Sequence, residues 1–404
     1  MCAVVLSSTI FTTFAVNFYE NMFKKIIFFL ALVAATVVVG ALVSCAGGSG
    51  LSQWNETVYV PEYAGGFRIS AAEGKESVII TTFTPWQGAG GETRSLFIAR
   101  NGEKAPEGFK GQVLEGDAER IVCLSSSYIA MLDALGEVGR VSAVSGMDFI
   151  TNPYIQANRD RITDVGYDGN TDYEMLLASA PDIVLLYGIT GASGMEGKLK
   201  ELGIPFMYIG EYMEESPLGK AEWCIPVAEI IGCREKGIEV FNRIPKRYDS
   251  LKAIASETAC RPKVMVNIPY GDAWIMSPPK SYVGRLITDA GADYIYPGDT
   301  TEVSRTIDIE EAYRLVNECD YWINTGRVAS RAALLAELPK FADVPCIKEG
   351  RVYNNNLRLN EHGGDDFWES GIMHPDIILE DLINIFHPGL LAQSGPLYYY
   401  RKIE

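Results

Sequence analysis

Residues 66–101 alternate apolar and polar positions through Phe67-Arg68-Ile69, Ser77-Val78-Ile79-Ile80-Thr81 and Arg94-Ser95-Leu96-Phe97-Ile98. Glu73-Gly74-Lys75 and Gly88-Ala89-Gly90-Gly91 separate the runs. A period of two broken by turn residues predicts a small antiparallel β element. From Arg120 the pattern changes to short apolar runs followed by helical stretches. Ile121-Val122-Cys123-Leu124, Asp182-Ile183-Val184-Leu185-Leu186 and Phe206-Met207-Tyr208-Ile209 are the successive strands, and strands alternating with helices predict α/β layers.

Two stretches of this part repeat. Asp172-Tyr173-Glu174-Met175-Leu176-Leu177 followed by Asp182-Ile183-Val184-Leu185 aligns with Asp308-Ile309-Glu310-Glu311-Ala312-Tyr313 followed by Asp320-Tyr321-Trp322-Ile323. Each reads as a capped helix feeding a strand. Ser127-Tyr128-Ile129 through Leu135-Gly136 pairs likewise with Ser281-Tyr282-Val283 through Ala290-Gly291. The pieces keep one order in both halves, which predicts two Rossmann-like α/β lobes. Residues 218–257 carry no strand signal; Gly232 divides one helical stretch from another running from Arg234 to about Ile254. Ile238, Phe241, Tyr248 and Leu251 sit near helical spacing, and Pro245 marks a kink or a break. A long helix joining the lobes is expected, with only modest closure between them.

The N-terminal pattern is of another kind. Ile26 to Val43 holds no charge, follows Lys24-Lys25, and ends in Leu42-Val43-Ser44-Cys45 before Ala46-Gly47-Gly48-Ser49-Gly50. That order predicts a signal peptide, a cleavage site and a flexible tether. It resembles the lipobox of bacterial lipoproteins, which implies that Cys45 becomes the lipidated first residue and holds the protein on a membrane; a retained anchor helix is the alternative. Met22, followed by Phe23-Lys24-Lys25, is the expected true start. The expected organisation is therefore a signal peptide at 1–44, a lipidated Cys and tether at 45–60, and an N-terminal lobe at 61–217 that includes the β element. A connecting helix at 218–257, a C-terminal lobe at 258–390 and a tail at 391–404 follow.

Charge narrows the partners. Lys plus Arg number 35 against 52 Asp plus Glu, a net charge of −17, which repels phosphate backbones, excludes nucleic acid as a partner and suits cationic protein surfaces. Cys123, Cys224, Cys233, Cys260, Cys319 and Cys346 show no C-x-x-C spacing, so neither a zinc ribbon nor a redox motif is present and buried free thiols are expected. His362, His374 and His387 all come late in the chain, which excludes a bare-metal site with imidazoles from both lobes. His362, beside Glu361, Asp365, Asp366 and Glu369, reads as a hydrogen-bonded loop residue before it reads as a metal or haem ligand. G-x-S-x-G, P-loop and H-E-x-x-H signatures are missing. No catalytic residue, cofactor or resident metal is expected.

From about Glu119 to Leu390 the chain resembles the substrate-binding proteins of ABC importers for iron-siderophores, haem and cobalamin. The resemblance lies in Arg120-Ile121-Val122-Cys123-Leu124-Ser125, in Glu174 ahead of Ala180-Pro181-Asp182-Ile183-Val184, in the connecting helix and in Gly291-Ala292-Asp293-Tyr294. It implies a class III periplasmic-binding-protein fold, a monomer with a ligand cleft between its lobes, and an ABC permease as partner. In similar proteins one acidic residue on each lobe docks against permease arginines. Glu174 is the matching position on the first lobe and Asp293, where relatives usually carry Glu, on the second.

Clefts of this class lie at the carboxyl ends of strands. That rule selects Trp86, Ser126, Tyr128 and Tyr187 in the first lobe and Tyr270, Trp274 and Arg305 in the second. The polar and aromatic run from Asn354 to Glu369 adds Asn355, Arg358 and Trp368. Aromatics bury much area at little rotamer cost, and arginines meet acidic groups on a chelate; ordinary packing is the competing reading of each. A second function class comes from Thr190-Gly191-Ala192-Ser193-Gly194-Met195-Glu196-Gly197 with Glu211 beyond it, which resembles the dinucleotide-binding turn of extended short-chain dehydrogenases. Core strands precede that turn, and the Tyr-x-x-x-Lys spacing of Tyr398 to Lys402 lies in the last residues. A surface interaction lipoprotein on the same fold is the third class.

Overall fold

The computed structural model describes residues 50–167, 169–271, 273–298, 304–392 and 395–404. The expected leader, Met22 and Cys45 lie outside the described residues. Residues 50–53, a 3-10 turn, group with 106–108, apart from 54–105 and 109–404; the larger unit holds every sheet.

Its first sheet has the order β1-β2-β3-β4-β5. The strands are β1 (Glu56–Tyr59), β2 (Phe67–Ala71), β3 (Val78–Phe83), β4 (Thr93–Ala99) and β5 (Gln112–Glu115). The first four are antiparallel and β5 joins β4 in parallel. The element is thus wider than residues 66–101, and the stretch expected to be tether already pairs as β1. Its four residues are too few for an alternating pattern to stand out. What seats the segment is a side chain far away in sequence. The Glu222 carboxylate, fully buried, accepts the Tyr59 hydroxyl at 2.6 Å and the amides of Glu62, Tyr63 and Ala64 at 2.8, 2.8 and 2.7 Å. Glu214 extends the strap by accepting from the Gly66 amide and the Trp223 indole.

The second sheet is wholly parallel, in the order β10-β9-β6-β7-β8. It comprises β6 (Ile121–Cys123), β7 (Val141–Val144), β8 (Thr163–Asp164), β9 (Ile183–Leu186) and β10 (Phe206–Tyr208). Apolar residues face both ways: Ile121 and Cys123 enter the main core, while Val122, Val184 and Leu186 pack on the other side against Met195 and Leu199. The third sheet has the order β13-β11-β15-β16-β17, from β11 (Lys263–Val266), β13 (Asp293–Tyr294), β15 (Tyr321–Ile323), β16 (Val352–Asn354) and β17 (Arg401–Lys402). Beside it, β12 (Trp274–Met276) and β14 (Arg305–Ile307) form an antiparallel ribbon.

The repeat is visible in three dimensions. β6, β7, β9 and β10 correspond in order to β11, β13, β15 and β16. Asp182 caps the start of β6 by accepting the Arg120 amide at 2.8 Å, and Asp320 does the same for Lys263 at the start of β11. Asp172 and Asp308 each cap the helix that precedes the third of these strands, Tyr173–Ala178 and Ile309–Glu318. The supposed tail differs from expectation. β17 pairs antiparallel with β16, and Asp381 holds the approach to it by accepting the amides of Tyr398, Tyr399 and Tyr400.

The connection between the lobes is also different from a single long helix. It consists of Pro217–Glu222, Cys224–Ile230, Arg234–Phe241 and Ile244–Ser256. Gly232, at φ +74, turns the chain where a side chain would be strained, and Pro245 sits in the first turn of the last helix, where its missing N–H costs nothing. Farther from this connection the lobes touch directly. The Thr151 amide donates to Glu369 at 2.8 Å, and the Asn360 amide group donates to the Asp148 carbonyl at 2.8 Å. A Cβ on Gly364 would lie 2.0 Å from the Phe149 carbonyl, so only glycine allows that approach.

Glu222→Gln turns an acceptor into a donor facing amides, and should lower the unfolding free energy in urea by about 2–3 kcal/mol; an unchanged midpoint would show that the strap contributes nothing. Burial pushes the Glu369 carboxyl up to about 7, with Asp366 adding to the rise. Since this exceeds the ordinary 4.5, the contribution to stability is complete below about pH 4.5 and is lost as pH climbs through about 7. The stability gap between the native chain and Glu369→Gln should therefore move by about 3 kcal/mol against the native chain over that window. A gap independent of pH would refute it.

Candidate functional site

Parallel strands place their loops at one end of each sheet, and here both sets border a cleft. Leu124 and Ser125 follow β6, Tyr187 follows β9 and Glu211 lies just after β10; Asn267, Asn324 and Asn355 directly follow β11, β15 and β16. Asn267 and Asn324 adopt left-handed backbone, φ +65 and +58, which Asn tolerates better than most residues. A cavity of about 940 Å³ runs between Ser125, Ser127, Glu211, Tyr212 and Lys220 of the first lobe and its following helix, and Ser277, Ser281, Tyr282 and Trp368 of the second. A neighbouring cavity of about 520 Å³ is lined by the asparagines, Arg327 and Asp365. Ser277, Val283 and Trp368 border both. Together they form a space of the size that takes a large small molecule.

The floor of the larger cavity is polar and buried. Ser127 donates to one Glu211 oxygen at 2.7 Å, while the other Glu211 oxygen is buried without a partner. Burial raises the Glu211 carboxyl above its ordinary range. Lys220 donates to the carbonyls of Glu211 and Tyr212 at 2.8 and 3.2 Å and lies over the Tyr282 ring at 5.2 Å. Burial lowers its ammonium to about 8. The Tyr282 hydroxyl is buried and has no hydrogen-bond partner.

The residues selected from sequence are dispersed by the structure. Trp368, nearly half exposed, and Asn355 stand on the cavity walls. Ser126 opens the helix Ser126–Ala134, between the lining residues Ser125 and Ser127. Trp86 packs on Tyr208 beneath Arg94, while the adjacent Gln87 and Gly88 reach the cavity. Tyr187 borders a separate small hollow with Leu124 and Met195. Tyr128 is wholly buried, its hydroxyl donating to the carbonyls of Leu186 and Ile209 at the ends of β9 and β10; it builds the sheet end and meets no ligand space. Trp274 is likewise core, stacked on Trp322 and donating to the Val266 carbonyl. Tyr270 is 88% exposed at a turn, Arg305 begins β14 next to the lining residue Ser304, and Arg358 is paired with Asp366 under Tyr398. Missed from sequence are Glu211, Lys220, Tyr282, Asn267 and Asn324. Asn267 and Asn324, one position past β11 and β15, and Glu211, three past β10, carried a signal; Lys220 and Tyr282, on helices, carried none.

The two acidic positions fare differently. Glu174 is exposed in the first turn of its Asp172-capped helix. Asp293 begins β13 and is ion-paired with Arg261 at 2.8 Å. The residue in Glu174's place on the second lobe is Glu310, exposed in the first turn of the Asp308-capped helix. The repeat already aligned the two.

The Gly191 turn does not assemble a dinucleotide site. A Cβ on Gly197 would meet open space, whereas the third glycine of such a turn serves close helix–strand packing. The Ser193 amide is taken by the Tyr208 hydroxyl, and Glu211 is held in the interlobe cleft. Among the described residues no group of three or more His, Cys, Asp or Glu is placed to hold a metal ion, and no helix is long and apolar enough to cross a membrane.

Comparison with known proteins agrees with this architecture. An uncharacterized lipoprotein of Methanocaldococcus jannaschii is 25% identical over 71% of this chain and 69% of its own length. A periplasmic heme binding protein from Pseudomonas aeruginosa superposes with a TM-score of 0.54 at 20% identity, over 71% of this chain and 98% of that one. An ABC-type Fe3+-hydroxamate transport system protein from Saccharomonospora viridis gives 0.51 at 17%, over 67% and 94%. These structural likenesses carry the fold. Residues 121–356, well over half of the chain, match the family described as periplasmic binding protein, and the chain belongs to that family of solute-binding proteins.

Proposed function

We propose that the protein is the solute-binding component of an ABC importer, capturing a metal chelate of the siderophore, haem or cobalamin kind between its lobes and delivering it to a permease. The observation that carries this reading is the cavity of about 940 Å³ between the carboxyl ends of the two parallel sheets, in a chain of the periplasmic binding protein family. The similar folds from P. aeruginosa and S. viridis are a heme binding protein and part of a Fe3+-hydroxamate transport system, which supports a chelate as cargo. The chain makes and breaks no bond in this role, and ligand binding favours the arrangement that encloses it. Its M. jannaschii relative is a lipoprotein, in keeping with export and a lipid on Cys45. Glu174 and Glu310, equivalent helix-start carboxylates on the two lobes, are the pair we put forward for permease docking, in place of Asp293, which Arg261 already engages.

Tryptophan fluorescence against ferric hydroxamates, haem and corrinoids should show saturable quenching by at least one chelate. Trp368→Ala should weaken that binding about tenfold, as expected for an aromatic anchor worth over 1 kcal/mol. Glu174→Arg and Glu310→Arg should keep the affinity within about twofold and cut uptake by about tenfold or more, since a like-charge contact at an interface costs several kcal/mol. Normal uptake by both charge reversals would remove the docking assignment, and loss of ligand binding would move these residues to the cleft.

A further inference from the structure

We propose that Glu211 is the polar anchor of the cleft, and that the bound chelate presents an amide or ammonium N–H to it and carries no net negative charge. This rests on the reading of the cleft as the ligand site, and deepens it by naming what the cargo must offer. Three observations converge. Glu211 is 6% exposed and lines the cavity, yet only one of its two oxygens is satisfied, by Ser127; the other is buried and unpartnered. Such a group costs stability unless something fills its valence on binding. Lys220 does not fill it, because its ammonium is directed to the carbonyls of Glu211 and Tyr212. Tyr282, whose ring lies under the Lys220 ammonium, is 8% exposed and its hydroxyl is also unpartnered, so two residues with unsatisfied polar groups line one space from opposite lobes.

The remaining charge points the same way. Glu211, Glu214, Glu215 and Asp365 line the two cavities, against Lys220 and Arg327. Glu214 is spent on the Gly66 amide and the Trp223 indole, Glu215 on Arg285, and Asp365, in the smaller cavity, on the Phe367 amide, which leaves Glu211 as the acceptor of the larger one. A polycarboxylate or a trianionic chelate would have to bring like charge to a desolvated carboxylate. An amide N–H or an ammonium supplies the missing donor, and the hydroxyl of Tyr282 and the side chains of Asn267, Asn324 and Asn355 can pair with further amide groups on the same rim.

The test is a titration of the mature chain, its Glu211→Gln variant and its Tyr282→Phe variant with four probes. Dicyanocobinamide is rimmed by amides, ferrioxamine B carries an ammonium, haem carries two carboxylates, and ferric enterobactin is a trianion. One of the first two should bind at least tenfold tighter than either anionic chelate. Glu211→Gln should weaken that binding about ten- to hundredfold, the range for a hydrogen bond to a charged group, and narrow the preference. Tyr282→Phe removes a hydroxyl with no partner in the protein, so it should leave the unfolding midpoint unchanged while weakening the same ligand severalfold. Tighter binding of haem or ferric enterobactin, or affinities unmoved by both variants, would overturn the assignment and leave the import reading standing. If none of the four bound, both would fall.

Discussion

Hydrogen bonding between parallel strands sets the direction of everything that follows in this molecule. Once β6, β7, β9 and β10 run together, the turns after them leave from one edge; the same holds for β11, β13, β15 and β16. With the two edges turned toward each other, the cleft is walled by whatever residues come next in the chain. Ser125, Glu211, Asn267, Asn324 and Asn355 are brought to the cleft this way, and side-chain hydrogen bonds such as Ser127 to Glu211 and Tyr400 to Asn324 then hold them. Asp182 and Asp320, at the opposite ends of the strands, fix the pairing from behind by accepting backbone amides.

Carboxylates are used in two distinct ways. Glu222 and Asp381 are buried, and each collects several backbone amides from a segment that would otherwise leave the surface, so hydrogen-bond donors meet the charge within the protein. Glu211 is nearly as deeply placed, but its side-chain partner is the Ser127 hydroxyl and one of its oxygens is unpartnered. Burial acts on both kinds, and in the second the residue lines a space large enough for a ligand. Glu369 stands between them, satisfied in part by the Thr151 amide across the lobes and crowded by Asp366.

The runs of β6, β9, β10 and β15 and the internal repeat were legible in sequence because fully buried parallel strands are short, uninterrupted apolar runs, and because the paired helix starts carry matching caps, Asp172 with Asp308 and Ser125 with Ser281. The connecting region was only half legible. Gly232 and Pro245 were seen as breaks, but Trp223 and Asn242, where two further helices end, carry no breaker. β1 and β17 were invisible for another reason. They are held by Glu222 and Asp381, and distant hydrogen bonds leave no local periodicity. In the cleft, Trp368 and Asn355 were found through a polar, aromatic loop. Tyr128 and Trp274 were drawn from similar company, yet an aromatic that ties strand ends together and one that faces a ligand look alike until burial is known. Asp293 was chosen on motif position, while the repeat sets Glu310 in the place equivalent to Glu174.

Glu222 stands two residues beyond Lys220 on the same short helix, and it grips the chain just after β1. A pull arriving along the backbone at Glu56 would be shared at once by the Tyr59 hydroxyl and three amides converging on one carboxylate, and so be resisted in shear. Any such load ends at the helix that forms part of the cleft floor, not at the outer rim of a lobe. Tension on the N-terminal side of the molecule and the setting of Lys220 are thereby mechanically joined.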